Sequence, residues 1–310
     1  MLNRLRVGKV AEEDDPDKEF PLPHRRPHRR WRGRAPALRW GLQHVALTAS
    51  GERDAYDLPH VHFWCDTDDG VRLAGTRIGE DRDTAIVLAH GFMGYRTKRP
   101  WRVLAEGLAQ HFTVYTFDLR GHGQSHGHCS GGQKESLDVQ AVVAHARARG
   151  HGRVVSVGGS LGGIAVLLAA AEARDVDGVV SISAPAVWDP QGSKAVKRAT
   201  WLFMSPFGRA LARRVMGTRI HVEWGNPDPP AEVIGRISPI PVLLVHGEDD
   251  HFFPAEGARL LHERAGEPKR LVILPSFGHA EDGFTPEFAS RLAGDISELL
   301  DAAGDAARTS

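Results

Sequence analysis

Cysteine is nearly absent from this chain, which contains only Cys65 and Cys129 among 310 residues. Two cysteines so far apart cannot form the disulfide framework on which small secreted scaffolds depend. The composition is otherwise that of a globular protein, with 41% hydrophobic and 25% charged residues. The sequence therefore excludes the disulfide-rich secreted class and is compatible with a reducing compartment.

The chain also lacks a net charge, because 39 basic residues balance 39 acidic ones. Without a surplus of Lys and Arg, there is no global electrostatic attraction to nucleic acid or to an anionic membrane. We therefore expect no nucleic-acid partner, and we expect a small molecule as the substrate. The composition does not indicate the oligomeric state.

Long hydrophobic runs are missing as well. The most apolar run, residues 161–171, is too short to span a bilayer and is typical of a buried helix. The first twenty residues contain no apolar segment of signal-peptide length. We therefore expect a soluble, cytoplasmic protein with no membrane span.

Residues 1–36 differ in composition from the rest of the chain. An acidic cluster precedes the stretch PLPHRRPHRRWRGR, and neither has amphipathic periodicity. Mixed charge, proline and few aliphatic residues predict a disordered charged tail. The basic stretch around Trp31 could contact RNA or anionic lipid, although a solvated tail is the simpler interpretation.

From about residue 58, short apolar runs alternate with helical patterns. The stretch PHVHFWCDTDDGVRLAGTRIG (59–79) predicts two strands joined at an Asp-Gly turn. Six further strands are predicted at 84–90, 112–118, 153–158, 178–184, 241–247 and 270–275, with helices at 98–110, 133–149, 161–173, 254–265 and 285–302. This alternation predicts an α/β fold with a mostly parallel, doubly wound sheet.

One segment interrupts the alternation. About fifty residues, 186–236, separate two predicted strands, which is more than a simple crossover needs. The segment combines aromatic and Met residues with Lys and Arg, and Phe207, Leu211 and Val215 are spaced as on one helix face. We predict a helical cap at 186–236, inserted into a core formed by residues 37–185 and 237–310.

A serine occupies the turn between the predicted strand at 153–158 and the helix after it. Gly158 and Gly162 lie two residues before and after Ser160, where side chains would collide in a sharp strand-to-helix turn. The hydroxyl would project at a helix N-terminus, where backbone N–H groups stabilise negative charge. Glycine-rich turns also bind phosphates, but the dinucleotide fingerprint and the P-loop lysine are both absent.

A serine nucleophile needs a base and a carboxylate that orients the base. In an open α/β sheet, catalytic groups gather beyond the carboxyl ends of the strands. Asp249 and Asp250 follow the strand at 241–247, and His279 follows the strand at 270–275. The order serine, acid, histidine is the one expected for such a sheet.

Five motifs in this order resemble those of the α/β-hydrolase family over residues 58–302. They are HGFMG (90–94), similar to the oxyanion loop; DLRGHGQS (118–125), similar to the turn after the fourth strand; GGSLGG (158–163), the nucleophile elbow; HGEDDHFFP (246–254), the acid loop; and FGHAE (277–281), the histidine loop. The resemblance implies an α/β-hydrolase fold with a cap, of the serine esterase or lipase type.

The resemblance also implies a role for each matching residue. Ser160 would be the nucleophile and His279 the general base and acid. The family's acid is the third residue after the His-Gly pair, which favours Asp250 over its neighbour Asp249. The backbone N–H groups of Phe92 and Leu161 would form the oxyanion hole.

Two features of the predicted pocket leave alternatives open. The aromatic residues of the cap would line an acyl-binding pocket or would form a small core of the cap itself; they are Trp188, Trp201, Phe203 and Phe207. In addition, the residue before the serine is often larger in such elbows, whereas here it is Gly159, which would widen the pocket floor.

A second group of side chains raises the alternative of a metal site. His122, His126, His128 and Cys129 lie close together in the sequence, but a zinc site usually needs a second ligand group elsewhere. The family turn already accounts for the first part of this stretch. We therefore expect no metal and no cofactor, and we interpret His90 and His122 as residues that fix loop geometry.

The predicted function is hydrolysis of an ester through an acyl-enzyme, as in a carboxylesterase or a monoacylglycerol lipase. An acyltransferase, a thioesterase or a C–C bond hydrolase could use the same Ser-His-Asp triad, because the fold does not fix the reaction. A hypothesis of another class is a scaffold that binds a ligand or partner without catalysis.

Overall fold

The computed structural model describes residues 56–189, 192–221, 223, 225 and 227–309. The predicted charged tail, residues 1–36, lies outside the described residues, as do residues 37–55 of the predicted core. None of the helices in the described ranges is both long and apolar enough to cross a membrane.

In the described part of the chain, eight strands form one sheet. They are β1 (His60–Asp66), β2 (Arg72–Ile78), β3 (Thr84–Ala89), β4 (Thr113–Phe117), β5 (Arg153–Gly159), β6 (Gly178–Ile182), β7 (Val242–Gly247) and β8 (Lys269–Leu274). Their order across the sheet is β1-β2-β4-β3-β5-β6-β7-β8. The pairs from β4 to β8 are parallel, whereas β1 and β2 are antiparallel to their neighbours. The predicted fold class, a mostly parallel α/β sheet, is confirmed.

Helices cover both faces of this sheet. They are α1 (Arg99–Leu108), α2 (Glu135–Ala148), α3 (Leu161–Ala173), α4 (Lys194–Met204), α5 (Pro206–Leu211), α6 (Pro230–Val233), α7 (Ala255–Arg264) and α8 (Pro286–Thr309). Buried residues of α1 and α8 pack in one cluster, and those of α2, α3 and α7 pack in another. Because both faces are covered, β3, β4 and β7 are buried along their whole length, which explains their unbroken apolar runs.

The segment between β6 and β7 carries α4, α5, a π-helical turn at Ala212–Met216 and α6. Two serines begin its helices, because Ser193 Oγ accepts the Val196 N–H and Ser205 Oγ accepts the Gly208 N–H, both at 3.2 Å. Of the three residues predicted on one helix face, Phe207 and Leu211 lie on α5, and Val215 lies in the π-helical turn that follows it.

The parallel strands bring their carboxyl ends to one edge of the sheet. β3, β5, β7 and β8 all run in the same direction, so the loops that follow them begin side by side. These loops carry residues 90–94, Ser160, residues 248–254 and residues 275–279. The topology therefore brings together the motifs that the sequence places far apart.

Candidate active site

Ser160 lies in the tight turn between β5 and α3. Its backbone has φ 55° and ψ −116°, a conformation that L-residues rarely adopt, and its N–H donates to the Ile182 carbonyl at 2.8 Å. A Cβ on Gly158 would lie 2.2 Å from the Gly162 carbonyl oxygen, and a Cβ on Gly162 would lie 2.2 Å from the Ala89 carbonyl oxygen. The two glycines therefore allow the backbone approach that this turn requires.

His279 and Asp250 are joined by a hydrogen bond. The His279 Nδ1 atom lies 2.8 Å from Asp250 Oδ2, while Asp250 Oδ1 accepts the N–H groups of Phe252 (2.8 Å) and Phe253 (3.0 Å). Burial by itself would raise the pKa of Asp250, but the His279 ring and these backbone donors hold it below its ordinary value. The carboxylate is therefore ionised at neutral pH and fixes the proton of His279 on Nδ1, which leaves Nε2 as the basic atom.

The chain segments that carry Ser160 and His279 are in contact. A Cβ built on Gly159 would lie 3.3 Å from the Ala280 Cβ, and the Ala280 N–H donates to Ser183 Oγ at 3.1 Å. No hydrogen bond joins Ser160 to His279 within the described ranges. Catalytic hydrogen bonds often become short only when a substrate is bound, so this geometry is compatible with a nucleophile–base pair.

Asp249, the alternative acid, occupies a different environment. Its side chain is exposed, and its N–H donates to the Phe277 carbonyl at 3.1 Å. The structure thus brings Asp250, and not Asp249, into hydrogen-bond contact with His279.

The two predicted oxyanion donors flank the serine. Leu161 is the first residue of α3, where the backbone N–H has no partner within the helix. The Phe92 N–H makes no hydrogen bond to any described residue. A Cβ on Gly91 would lie 3.3 Å from the Ser160 Cβ, so the lack of a side chain at 91 lets this loop approach the serine closely.

Two buried histidines hold the loop that carries Phe92. His90 Nε2 accepts the Leu119 N–H at 3.0 Å, and its Nδ1–H donates to the Gly91 carbonyl at 2.7 Å. His122 Nε2 accepts the Met93 N–H at 3.3 Å, and its Nδ1–H donates to the Arg120 carbonyl at 3.0 Å. Each ring is therefore a neutral imidazole that bridges two loops, as expected for residues that fix loop geometry.

Burial lowers the pKa of His90 to about 4 and that of His122 to about 3. Below the ordinary histidine pKa near 6.5, the unfolded chain therefore binds protons that the folded chain does not. The free energy of unfolding falls as the pH is lowered from about 7, by about 1.4 kcal/mol per pH unit for each histidine, until the folded pKa is reached.

We expect this pH dependence to weaken in a His122→Gln variant. Between pH 7 and pH 5, the free energy of unfolding of the wild type should fall by about 2 kcal/mol more than that of the variant. Urea unfolding at the two pH values measures this difference. His111→Gln, at an exposed position, is the matched control and should retain the wild-type slope. Equal slopes for wild type and His122→Gln would show that His122 is not held neutral.

A buried ion pair anchors the other end of the same loop. The guanidinium of Arg96 contacts Asp118, and the Arg96 N–H donates to Asp118 Oδ1 at 2.7 Å. Burial opposes the ionised carboxylate, but Arg96 keeps the pKa of Asp118 below its ordinary value. This ion pair therefore fixes the end of the loop, and Arg96 carries no recognisable sequence signal for the contact.

Glu281 ties the histidine loop to α1. Its carboxylate accepts a hydrogen bond from Lys98 Nζ at 2.6 Å and one from Trp101 Nε1 at 2.8 Å. The Trp101 ring also fills the space beside Gly159, because a Cβ on Gly159 would lie 2.8 Å from it. The wider pocket floor predicted from Gly159 is therefore wrong, since this buried indole takes the place of a side chain at 159.

We expect Glu281→Gln to lower kcat about tenfold with little change in KM, because the loop that carries His279 loses its ion pair to Lys98 and the imidazole is positioned less accurately. The free energy of unfolding should fall by about 1–3 kcal/mol, since the Lys98 ammonium is left without its carboxylate. Steady-state kinetics and urea unfolding measure the two effects. Glu263→Gln, an exposed position on α7, is the matched control. An unchanged kcat in Glu281→Gln would contradict this positioning role.

The predicted pocket residues divide into two pairs. Phe203 packs against Phe92 with the rings tilted by 33° and their centroids 4.3 Å apart, and a Cβ on Gly132 would lie 3.2 Å from the Trp188 ring and 3.2 Å from Ile164 of α3. Trp201 and Phe207 contact each other and are 45% and 71% exposed. The structure therefore places Phe203 beside the predicted oxyanion loop and Trp188 beside α3, whereas Trp201 and Phe207 face solvent.

The histidines near Cys129 form no metal site in the described ranges. No group of three or more His, Cys, Asp or Glu side chains in those ranges is arranged to hold a metal ion. Cys129 is fully buried, and both ring nitrogens of His122 are already engaged by backbone groups.

Comparisons with known proteins agree with this architecture. Residues 84–217 match the alpha/beta hydrolase fold family. The uncharacterized protein YfhR of Escherichia coli K12 is 29% identical over 226 residues, which cover 69% of this chain and 71% of YfhR. The pimeloyl-[acyl-carrier protein] methyl ester esterase of Nitrosomonas europaea is 28% identical over 239 residues, 63% of this chain and 88% of that protein.

A solved structure has a similar fold. The esterase Pf2001 of Pyrococcus furiosus superposes with a TM-score of 0.64, covering 79% of this chain and 94% of that chain, at 21% identity. A likeness at this level of identity shows a shared fold.

Proposed function

We propose that this chain, which shares the alpha/beta hydrolase fold and matches that family over residues 84–217, is a serine hydrolase that cleaves a carboxylic ester through an acyl-enzyme. The observation that carries this proposal is the pairing of His279 with the buried Asp250, on a segment in contact with the strained turn of Ser160. An imidazole held at Nδ1 by a carboxylate, on a loop that packs next to the turn of a half-buried serine, is the arrangement that activates a serine nucleophile.

The proposed reaction uses this chain's own groups. Ser160 Oγ attacks the carbonyl carbon of the ester while His279 Nε2 takes its proton. The resulting oxyanion accepts hydrogen bonds from the Phe92 and Leu161 N–H groups, each of which contributes about 3 kcal/mol to the transition state. His279 then gives its proton to the departing alkoxide, and a water molecule activated by the same ring releases the acid.

The acyl group would bind against the apolar surface next to the oxyanion loop. Phe203 packs on Phe92 there, so an acyl chain that extends from the bound carbonyl group would contact aromatic side chains. This supports a carboxylesterase or an enzyme similar to monoacylglycerol lipase. The Nitrosomonas europaea relative is named for a methyl ester substrate, which also favours an ester over an amide.

A series of p-nitrophenyl esters from short to long acyl chains tests the proposal. We expect hydrolysis of at least one member at a rate far above that of Ser160→Ala, with an optimum that reports the length of the pocket. Product analysis with added glycerol or methanol separates an esterase, which releases the free acid, from an acyltransferase, which forms a new ester. Rates equal to those of Ser160→Ala on every ester would favour a non-catalytic binding protein.

A further inference from the structure

The outer side of α4 and α5 exposes large apolar side chains. Of the exposed large hydrophobic residues in the described ranges, four lie here: Trp201 (45%), Met204 (55%), Phe207 (71%) and Leu211 (36%). The rings of Trp201 and Phe207 contact each other, so the two helices form one surface. Single exposed hydrophobic residues are common, but a contiguous group marks an interaction surface.

The helical spacing shows that this exposure belongs to one face. Lys197, Trp201 and Met204 recur at intervals of four and three residues, so they lie on the solvent side of α4. Leu202 is buried on the other side, and its neighbour Phe203 packs on Phe92. On α5, Phe207 and Leu211 have the spacing of a core-facing stripe, yet both are exposed. The apolar face of α5 therefore lacks a covering among the described residues.

The segment that carries this face is rich in cations. Residues 193–217 contain six Lys and Arg and no Asp or Glu, although the whole chain has no net charge. Arg209 donates to the carbonyls of Phe203 and Met204 at the end of α4. The other five are exposed: Lys194, Lys197, Arg198, Arg213 and Arg214. We call these five cations and the four exposed apolar residues the cap patch.

We propose that the cap patch docks on an anionic lipid surface. Aromatic side chains are favourable at the boundary between headgroups and acyl chains, and Lys or Arg beside them are attracted to anionic headgroups. Each cation near such a surface strengthens binding by about fivefold, corresponding to about 1 kcal/mol. The cap patch supplies both contributions from the exposed residues of α4, α5 and the π-helical turn that follows them.

The charge distribution disfavours a second copy of the chain as the occupant. A two-fold symmetric contact would place the same surface on both sides, so the five exposed cations would face five others. An acidic protein would neutralise the five exposed cations. Lys is depleted at protein interfaces, however, and the N-terminal half of α4 presents two lysines. An anionic membrane accommodates the lysines together with the protruding Trp201 and Phe207.

The same helix connects the cap patch to the candidate active site. Phe203 lies on α4 between exposed Trp201 and Met204, and it contacts Phe92, whose N–H is a proposed oxyanion donor. This step depends on the proposed function: docking would set the acyl-binding side of the site against the lipid from which an apolar ester is taken.

Co-sedimentation with lipid vesicles tests the proposal in the full-length chain carrying Ser160→Ala, so that no lipid is consumed. We expect binding to phosphatidylcholine vesicles that contain phosphatidylglycerol, weaker binding at high salt, and much weaker binding to phosphatidylcholine alone. Lys194→Gln with Lys197→Gln should weaken binding about 25-fold. Phe207→Ser should weaken it about tenfold. The matched control is Arg259→Gln with Arg264→Gln, two exposed arginines of α7, which should bind as before.

Other outcomes would overturn docking. Absence of binding to both kinds of vesicle, or equal losses in the α7 control and the α4 variant, would contradict it. A patch variant that changes the oligomeric state in size-exclusion chromatography, with vesicle binding unaltered, would identify a second copy as the occupant. Retention of an acidic protein, but of no vesicle, would identify a protein partner instead.

A soluble short-chain ester separates this proposal from the enzymatic one. With Ser160 restored, Lys194→Gln with Lys197→Gln should hydrolyse it at the wild-type rate and lose only the activity on long-chain esters presented in anionic vesicles. Hydrolysis of the soluble ester without vesicle binding would contradict the docking proposal and leave the enzymatic proposal standing. Vesicle binding without hydrolysis of any ester would contradict the enzymatic proposal and leave the docking proposal standing.

Discussion

Replacement of Ser160 by alanine is expected to lower kcat for a p-nitrophenyl ester by about ten-thousand-fold or more, because the acyl-enzyme can no longer form. A fluorophosphonate probe, whose phosphorus takes the place of the acyl carbon, should label the wild type and leave the variant unlabelled. The residual rate would come from the oxyanion donors and from substrate binding. Gel fluorescence and steady-state kinetics measure the two effects.

The chain offers a matched control four residues upstream. Ser156 lies on β5, and its buried hydroxyl has no hydrogen-bond partner among the described residues. Ser156→Ala should therefore keep full activity and labelling, with stability equal to or slightly above that of the wild type. Equal labelling of the wild type and Ser160→Ala would show that Ser160 is not the nucleophile.

Asp250→Asn is expected to lower kcat by about ten-thousand-fold while the fold is retained. The N–H groups of Phe252 and Phe253 already donate to Oδ1, so the amide oxygen of an asparagine would turn towards them. Its NH₂ group would then face His279 and donate to Nδ1. This places the imidazole proton on Nε2, where the ring can no longer accept the proton of Ser160.

The neighbouring carboxylate provides the comparison. Asp249→Asn changes an exposed side chain and should retain activity close to that of the wild type, within about twofold. Kinetics of both variants on the same ester, with circular dichroism to compare their folds, decide between the two acids. A larger loss in Asp249→Asn than in Asp250→Asn would contradict the assignment.

Most of the sheet and its helices could be predicted from the sequence, because a buried strand and an amphipathic helix each leave a local period. The runs at 84–90 and 241–247 became β3 and β7, and the helix predicted at 161–173 coincides with α3. The segment between β6 and β7 was harder, since Phe207 and Leu211 have the spacing of a core-facing stripe but lie on the outer side. Periodicity identifies one face of a helix and does not show whether anything covers it.

In the candidate site, too, some features could be predicted from the local sequence and others could not. Ser160 and His279 occupy turns whose chemistry is local, so their positions could be predicted from flanking glycines and strand ends. The contacts that hold the histidine loop in place could not be predicted in this way. Lys98 and Trp101 lie about 180 residues from Glu281 in the sequence, and no pattern within α1 indicates that contact. Long-range polar contacts of this kind depend on tertiary packing alone.

The segment that joins β6 to β7 departs from the sheet and rejoins it without supplying Ser160, His279 or Asp250. Doubling the length of such a connection adds only about 0.6 kcal/mol of closure entropy. The exposed helices α4 and α5 can therefore vary in length at little cost in stability, whereas Ser183, Ile234 and Ile237 of the same segment are fully buried and hold it to the core.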